Sequence, residues 1–334
     1  MKSKLNGRNK IKAINTWAVA LLRYGAGIIS WRQDELKSLD RTTRKTLTMY
    51  GAFHPKGDVD RLYVKRKEGG RGLISIENCV ISEKNNLGLY VRNSEEKLLK
   101  GVRASRIIET ENVVEKEELK ENLSRIAKTN WHGKKMYGQF SREMKDEIDR
   151  RRTWIWVVKS DLKVQTEALI FAAQEQALRT NYVKYNVDKT VDSPLCRMCK
   201  IKGETVQHLV CECSKLAQRE YKRRHDNIAK LIHWKLCGEH GFDRNEKWYE
   251  HCPEGVVENA HVKLIWDMNI QCDNVIEARR PDLLLINKQG NTCIIIDIAV
   301  PGDNRVHEKE IEKIEKYQDL KREIIRIWKL KKAQ

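Results

Sequence analysis

The chain has 334 residues, enough for two domains and a sizeable core; it has no apolar run of membrane-spanning length, and its start, "MKSKLNGRNK", lacks the apolar stretch of a secretory leader, so a soluble intracellular protein is expected. Its 65 Lys+Arg against 47 Asp+Glu give a formal net charge of +18, which points to a polyanion, nucleic acid before membrane surface because no basic amphipathic anchor stands out. Nine cysteines, odd in number and unevenly spaced, argue against a secreted disulfide framework and for reduced thiols, some of them metal ligands.

All five prolines lie outside residues 56–193, and that interval, rich in Glu, Lys, Leu and Ala, reads as mostly helical. Within it "KEGGRGL" at 67–73 is the clearest turn, and Glu167–Tyr185 is expected to be one helix. Arg150, Arg151 and Arg152 of "DRRRTW" stand beside a tryptophan, a combination suited to phosphate contact with base stacking. Every cysteine but Cys79 follows Pro194, which places a domain boundary near 190.

Next comes "CRMCKIKGETVQHLVCEC", with Cys196-x2-Cys199-x8-His208-x4-Cys213. A Cys-x2-Cys pair can grip one ion from a tight turn, and a following His and Cys close a tetrahedron, the set that Zn²⁺ prefers. Cys211 is an alternative fourth ligand; the competing reading is of reduced cysteines packed as small hydrophobes. The basic run Lys222, Arg223, Arg224 follows closely, so the knuckle is expected to be structural and to present charge to nucleic acid. Cys237, Cys252, Cys272 and Cys293 have no paired spacing and are expected in the core.

Strand-like runs begin near 255, and "ARRPDLLLINKQGNTCIIIDIAVPGD" reads as a β-hairpin. With Gln289-Gly290 as a two-residue loop, Asp282 faces Asp297. Like charges directly opposite are destabilising, so either the register differs from this reading or a cation is held between them. The spacing Pro281-Asp282-x14-Asp297 resembles the PD-(D/E)XK nuclease motif, in which two acids on neighbouring strands bind Mg²⁺ and a lysine two residues on orients the attacking water. Two carboxylates and a backbone carbonyl, here that of Ile298, suit Mg²⁺. Ala299 stands where the lysine belongs. The following helix, with Ile311, Ile314, Leu320, Ile324 and Ile327 roughly on one face and Asp303 or Asn304 as its cap, offers Lys309, Lys313 and Lys316 instead. Lys313 is the first choice, with Tyr317 as its partner and Lys316 as the alternative; a Lys-rich helix face can equally be a solvated one.

Taken in order, these segments resemble the C-terminal part of the reverse transcriptase polyprotein of non-LTR retrotransposons that carry a restriction-like endonuclease. "LLRYGAGIISW", "ELKSLDRTTRKTL" and "VDRLYVKRKEGGRGL" are similar to the segment after the polymerase palm. "ALRTNYVK", the Cys196, Cys199, His208, Cys213 knuckle, "KLAQREYKRRHD", "KWYEHCPE", "ARRPD", "IDIAVPGD" and "EKIEKYQDLKREI" then follow in the family's sequence. The resemblance implies a nuclease that nicks target DNA, with Asp282 and Asp297 as metal acids and the lysine displaced to the "EKIEKY" helix. It also implies target DNA and element RNA as partners and the nucleus as the place of work. Arg280 of "ARRPD" joins Arg150, Arg151, Arg152, Lys222, Arg223 and Arg224 as expected nucleic-acid contacts. The family's Tyr-x-Asp-Asp turn is missing, so polymerase activity is not expected from this chain alone, which reads as the tail of such an element.

The architecture expected is α+β: a thumb-like remnant at 1–74, a helical linker at 75–190, the knuckle with its basic helix at 191–226, and a small PD-(D/E)XK-like α/β nuclease domain at 227–334. The rival expectations are a nucleic-acid-binding protein whose acids are vestigial, and an oligomerisation module in the helical residues 75–190.

Overall fold

The computed structural model describes residues 3–144, 148–159, 161–302 and 305–334. It is an α+β protein in two compact units, Met1–Asp188 and Lys189–Gln334, with a small mixed sheet in the second. The four expected segments therefore pair up, since neither 74 nor 226 separates compact bodies.

The first unit is helical. Helices α1 (Gln33–Met49) and α2 (Ile76–Asn93) pack Leu36 against Ile76 and Val80, which joins the expected thumb and linker in one core. Asp40 of α1, a buried carboxylate, accepts hydrogen bonds from the Ser75 hydroxyl (2.7 Å) and the Ile76 N–H (2.9 Å), groups at the start of α2. It satisfies an orphan N–H and meets the positive end of the helix dipole. Asp40→Ala is expected to cost about 2 kcal/mol, the upper end for loss of a cap. Hydrogen exchange should show it as lost protection in α2; unchanged exchange there would count against the cap.

The turn at 67–73 rests on glycine: Gly69 (φ +90°) and Gly72 (φ +71°) lie in the left-handed region. It brings the buried Arg71 to Glu167, 2.9 Å away, on helix α4 (Val164–Gln174). The helix expected over Glu167–Tyr185 is broken. It ends at Gln174, Gln176 has φ +55°, and helical structure resumes only at Asn181–Val183, which runs on into a wide π turn, Lys184–Asp188. The reason is a long-range partner: the Glu175 carboxylate accepts the Asp58 N–H (2.8 Å) and pairs with Arg61 (3.3 Å). The Arg61 guanidinium lies over the rings of Phe171 and of Trp131 on α3 (Lys116–Gly133), at 4.4 and 4.7 Å. A buried charge that must keep its partner outweighs helix propensity.

In the second unit, helix α5 is Lys222–Glu239 and runs through the boundary expected at 226. The sheet has five strands in sequence order: β1 (Val256–Glu258), β2 (Val262–Trp266), β3 (Leu283–Asn287), β4 (Thr292–Ile296) and β5 (Lys332–Ala333). The first three pairings are antiparallel and the last is parallel. Helices cover both faces. Leu264 and Leu283 pack against Ala229 and Cys237 of α5, while Ile265, Leu284 and Ile286 pack against Leu320 and Ile324. Two covered faces explain why Leu283–Ile286 of β3 is a continuous apolar run without polar alternation; in β4 the middle residue, Ile294, is exposed.

The hairpin register is Leu283↔Ile296 through Asn287↔Thr292, which sets Asp282 across from Asp297 just beyond the paired strands. The turn itself has four residues, 288–291, with Asn291 at φ +49°, and replaces the expected two-residue loop. Asn287 Oδ1 accepts the Gly290 N–H at 2.9 Å, a side-chain bond that the shorter loop does not need.

The expected C-terminal helix is two helices, α6 (Val306–Lys316) and α7 (Gln318–Ile327), separated at Tyr317 (φ −104°, ψ 10°). The apolar face divides with it: Leu320 and Ile324 are buried, whereas Ile311 and Ile314 are exposed. The caps considered for it, Asp303 and Asn304, lie outside the described residues. Cys293 is buried as expected and Cys272 half-buried, but Cys252 is exposed. Among the described residues no helix is long and apolar enough to cross a membrane.

Candidate metal centre and acidic cleft

The Cys-x2-Cys turn is built from main-chain bonds. The Cys196 N–H donates to Lys202 O (2.8 Å) and the Lys200 N–H to Cys196 O (2.9 Å), with Lys200 itself at φ +60°. Residues 208–212 wind as one wide π turn, in which the Cys213 N–H reaches His208 O at 2.9 Å and brings those two side chains to the same side. The Tyr221 hydroxyl fastens the turn, lying 3.1 and 3.0 Å from the carbonyls of His208 and Leu209 and accepting the Cys213 N–H at 2.9 Å.

The ligand atoms of Cys196, Cys199, His208 and Cys213 all fall within 4.8 Å of one another, so this group could hold a metal such as zinc; Cys211 is outside it. The Cys196 and Cys213 sulfurs are 3.9 Å apart, and Cys199 Sγ is 3.3 Å from His208 Nε2. Tetrahedral zinc, with Zn–S about 2.3 Å and Zn–N about 2.0 Å, asks for about 3.8 and 3.5 Å. The Cys199 thiol is pulled down to about 6 by the N–H groups of Ile201 and Lys202, with His208 and Cys196 adding to the effect. These donors favour the thiolate, the form that binds metal.

The two aspartates are each held by cationic or N–H groups. Asp282 Oδ2 accepts the Ile298 N–H (2.6 Å) and lies 3.1 Å from His225 Nε2; the other His225 nitrogen is 3.1 Å from Asp226. Burial alone would lower the His225 pKa, but the hydrogen bond to Asp226 and the charge and hydrogen bond of Asp282 raise it overall. Asp297, largely buried, forms an ion pair with Lys313, lies 3.9 Å from Lys316 Nζ, and accepts the Tyr317 hydroxyl at 2.7 Å. Lys316 in turn donates to the Tyr317 oxygen at 2.9 Å. Burial, then the hydrogen bond and charge of Asp297, push the Tyr317 hydroxyl well above the usual phenol range, so it remains a donor. Lys309 pairs with Glu312.

The opposed acids thus have separate partners, the Lys313 ammonium on Asp297 and the His225 imidazole on Asp282. Asp297, Ala299, Lys309, Lys313 and Tyr317 line one cleft of about 620 Å³. Ala299, three residues past β4, and Lys313 of α6 line the same space, so the helix supplies an ammonium where residue 299 supplies only a methyl group. The backbone contact seen at Ile298 is its N–H on Asp282, a different group from the carbonyl that was expected to contribute. Asp282 and Asp297, just beyond the paired ends of β3 and β4, offer hard carboxylate oxygens of the kind Mg²⁺ prefers.

The basic residues divide by burial and partner. Lys222 and Arg223 are exposed at the start of α5, whereas Arg224 is half-buried, donating to the carbonyls of Val210 (2.8 Å) and Val300 (3.4 Å). Arg280 pairs with Asp267 at 2.8 Å. In the first unit Arg150, Arg151 and Arg152 are exposed, with Arg152 paired to Asp149. The aromatic neighbour Trp154 is buried in the core with Phe171, so it cannot serve the stacking role expected beside those arginines. His225 was missed: its meeting with Asp282, 57 residues away in sequence, leaves no local pattern. Comparison with known proteins adds no relative, since neither a family model nor a curated protein matches the chain.

Proposed function

We propose that this chain is a divalent-metal-dependent endonuclease that nicks DNA, with an attached structural zinc knuckle, and that it represents the C-terminal part of a non-LTR retrotransposon polyprotein. The observation that carries the reading is the convergence of Asp297, Lys313 and Tyr317 in the cleft, with Asp282 across the hairpin from Asp297. Asp282 and Asp297 are the residues that would hold Mg²⁺, which when bound polarises the scissile phosphate and an attacking water. Lys313 stands in for the lysine absent at 299, orienting that water and countering negative charge as it grows on the phosphate. Tyr317 fixes the Asp297 carboxylate, and His225 does the same for Asp282. Target DNA and element RNA, held by exposed basic residues such as Lys222 and Arg223, are the partners in this reading, and the nucleus is its setting. In the other reading, a nucleic-acid binder with no nuclease activity, Lys313 pairs with Asp297 and His225 with Asp282 in place of a metal ion.

Purified protein is expected to convert supercoiled plasmid to the nicked form in Mg²⁺ and not in EDTA. Lys313→Met should lower the rate about 100-fold, the scale of one positioned donor in a dry site, and Lys316→Met less. A folded protein that retards DNA without nicking it in Mg²⁺ would transfer the assignment to the binding reading, whose affinity should fall steeply with salt.

A further inference from the structure

Helix α5 carries His233 and Cys237 four residues apart, so both side chains leave the same face. His251, in the segment before β1, completes a buried group whose ligand atoms lie within 4.8 Å of one another. Cys237 Sγ is 3.5 Å from His233 Nδ1, the sulfur–nitrogen separation of about 3.5 Å that a tetrahedral zinc imposes. His233 Nδ1 and His251 Nε2 are 2.8 Å apart and need open only by about 0.5 Å to share an ion.

A second observation comes from the far side of the His233 ring. Nε2 is buried and has no hydrogen-bond partner. A hydrogen bond between the two imidazoles fixes one proton in the contact and leaves Nε2 either a stranded N–H or a bare lone pair, so this bond does not satisfy the pair. The knuckle shows the same arrangement: His208 presents Nε2 to the thiol of Cys199 and buries an unpartnered Nδ1. The two clusters share a pattern, one ring nitrogen turned to the other ligands and the other left idle.

We propose that His233, Cys237 and His251 form a second site for zinc or a divalent ion of the same nitrogen and sulfur preference, with water in the fourth position. The site is a clamp. It ties the segment after α5 back onto that helix, where Trp234 Nε1 already donates to Asn245 O (2.7 Å), Lys230 to Tyr249 O (3.1 Å), and Arg244 lies over the Trp234 ring at 4.0 Å. It does not depend on the nuclease reading, because none of its ligands enters the acidic cleft.

The test is zinc content by mass spectrometry on the full chain, loaded with excess Zn²⁺ and desalted, for the parent, Cys237→Ser, His251→Gln and Cys199→Ser. Two zincs in the parent, falling to one in each variant, is the expected result. Two zincs retained in Cys237→Ser and His251→Gln would overturn the second site, as would a single zinc in the parent that vanishes in Cys199→Ser. A single zinc lost in Cys237→Ser but kept in Cys199→Ser would support this site and sink the knuckle instead. Should the α5 variants fail to fold, Co²⁺ bound to Cys199→Ser provides the decision: tetrahedral visible bands with a one-thiolate charge-transfer signature support the site, and their absence overturns it.

Discussion

Asp297→Asn is expected to slow Mg²⁺-dependent nicking of plasmid DNA by on the order of 10³-fold, with zinc content and helicity unchanged. The substitution keeps an oxygen for the Tyr317 hydroxyl to donate to, and the Lys313 ammonium, about a quarter exposed, can turn to solvent, so the fold should survive. What disappears is the negative charge of a metal ligand. A bound divalent ion contributes several kcal/mol of transition-state stabilisation, and about 4 kcal/mol corresponds to that factor. Asp282→Asn should behave alike, because Ile298 and His225 retain an oxygen to bond to. Nicking at the parent rate in either folded variant would remove the cleft from consideration as the active site.

The larger effect on structure should come from Cys196→Ser. Between residues 194 and 221 the buried side chains are Cys196, Glu204, His208 and Cys213, three of them candidate ligands and none aliphatic. Glu204 is itself spent on Arg197, whose N–H and Nε donate to it at 2.8 Å. A segment with no apolar core must obtain its folding energy elsewhere, and structural zinc supplies about 10–16 kcal/mol of apparent binding energy in knuckle-sized peptides. Loss of one thiolate should therefore release one zinc and leave the main-chain amides of 194–221 unprotected in hydrogen exchange, while strands β2 to β4 keep their protection. Unaltered exchange in 194–221 would show that the segment stands without metal.

Much of the second unit could be read from residue types alone because its determinants are local. Soft ligands at x2, x8 and x4 spacings announced the metal group, and the hairpin register survived a wrong turn length because it depends only on Asn287 meeting Thr292. The apolar run of β3 reflects helices on both sides of the sheet, α5 on one face and α7 on the other. The illegible features all rest on distant partners. Glu175 ends a helix because Arg61, 114 residues earlier, needs its charge. His225 sits in a basic run with nothing to show that Asp282 would meet it. Tyr317 has the propensity to continue a helix, yet the chain turns there and brings its hydroxyl onto Asp297. His233 and His251 belong to no recognised spacing, since one comes from a helix and the other from a loop.

Arg224 holds the Val210 carbonyl beside the knuckle with one arm and reaches the Val300 carbonyl beyond Asp297 with the other, and the next residue, His225, touches Asp282. The candidate metal group of the knuckle and the acid pair are thereby braced by adjacent residues of one helix. On the proposed reading, in which the knuckle holds zinc and the aspartates hold Mg²⁺, zinc occupancy and affinity for the second ion form a linked pair through Arg224 and His225. Thermodynamic reciprocity then requires each ion to alter the other's dissociation constant by the same factor. The nuclease reading therefore predicts that a chelator directed at the thiolates lowers nicking from a distance.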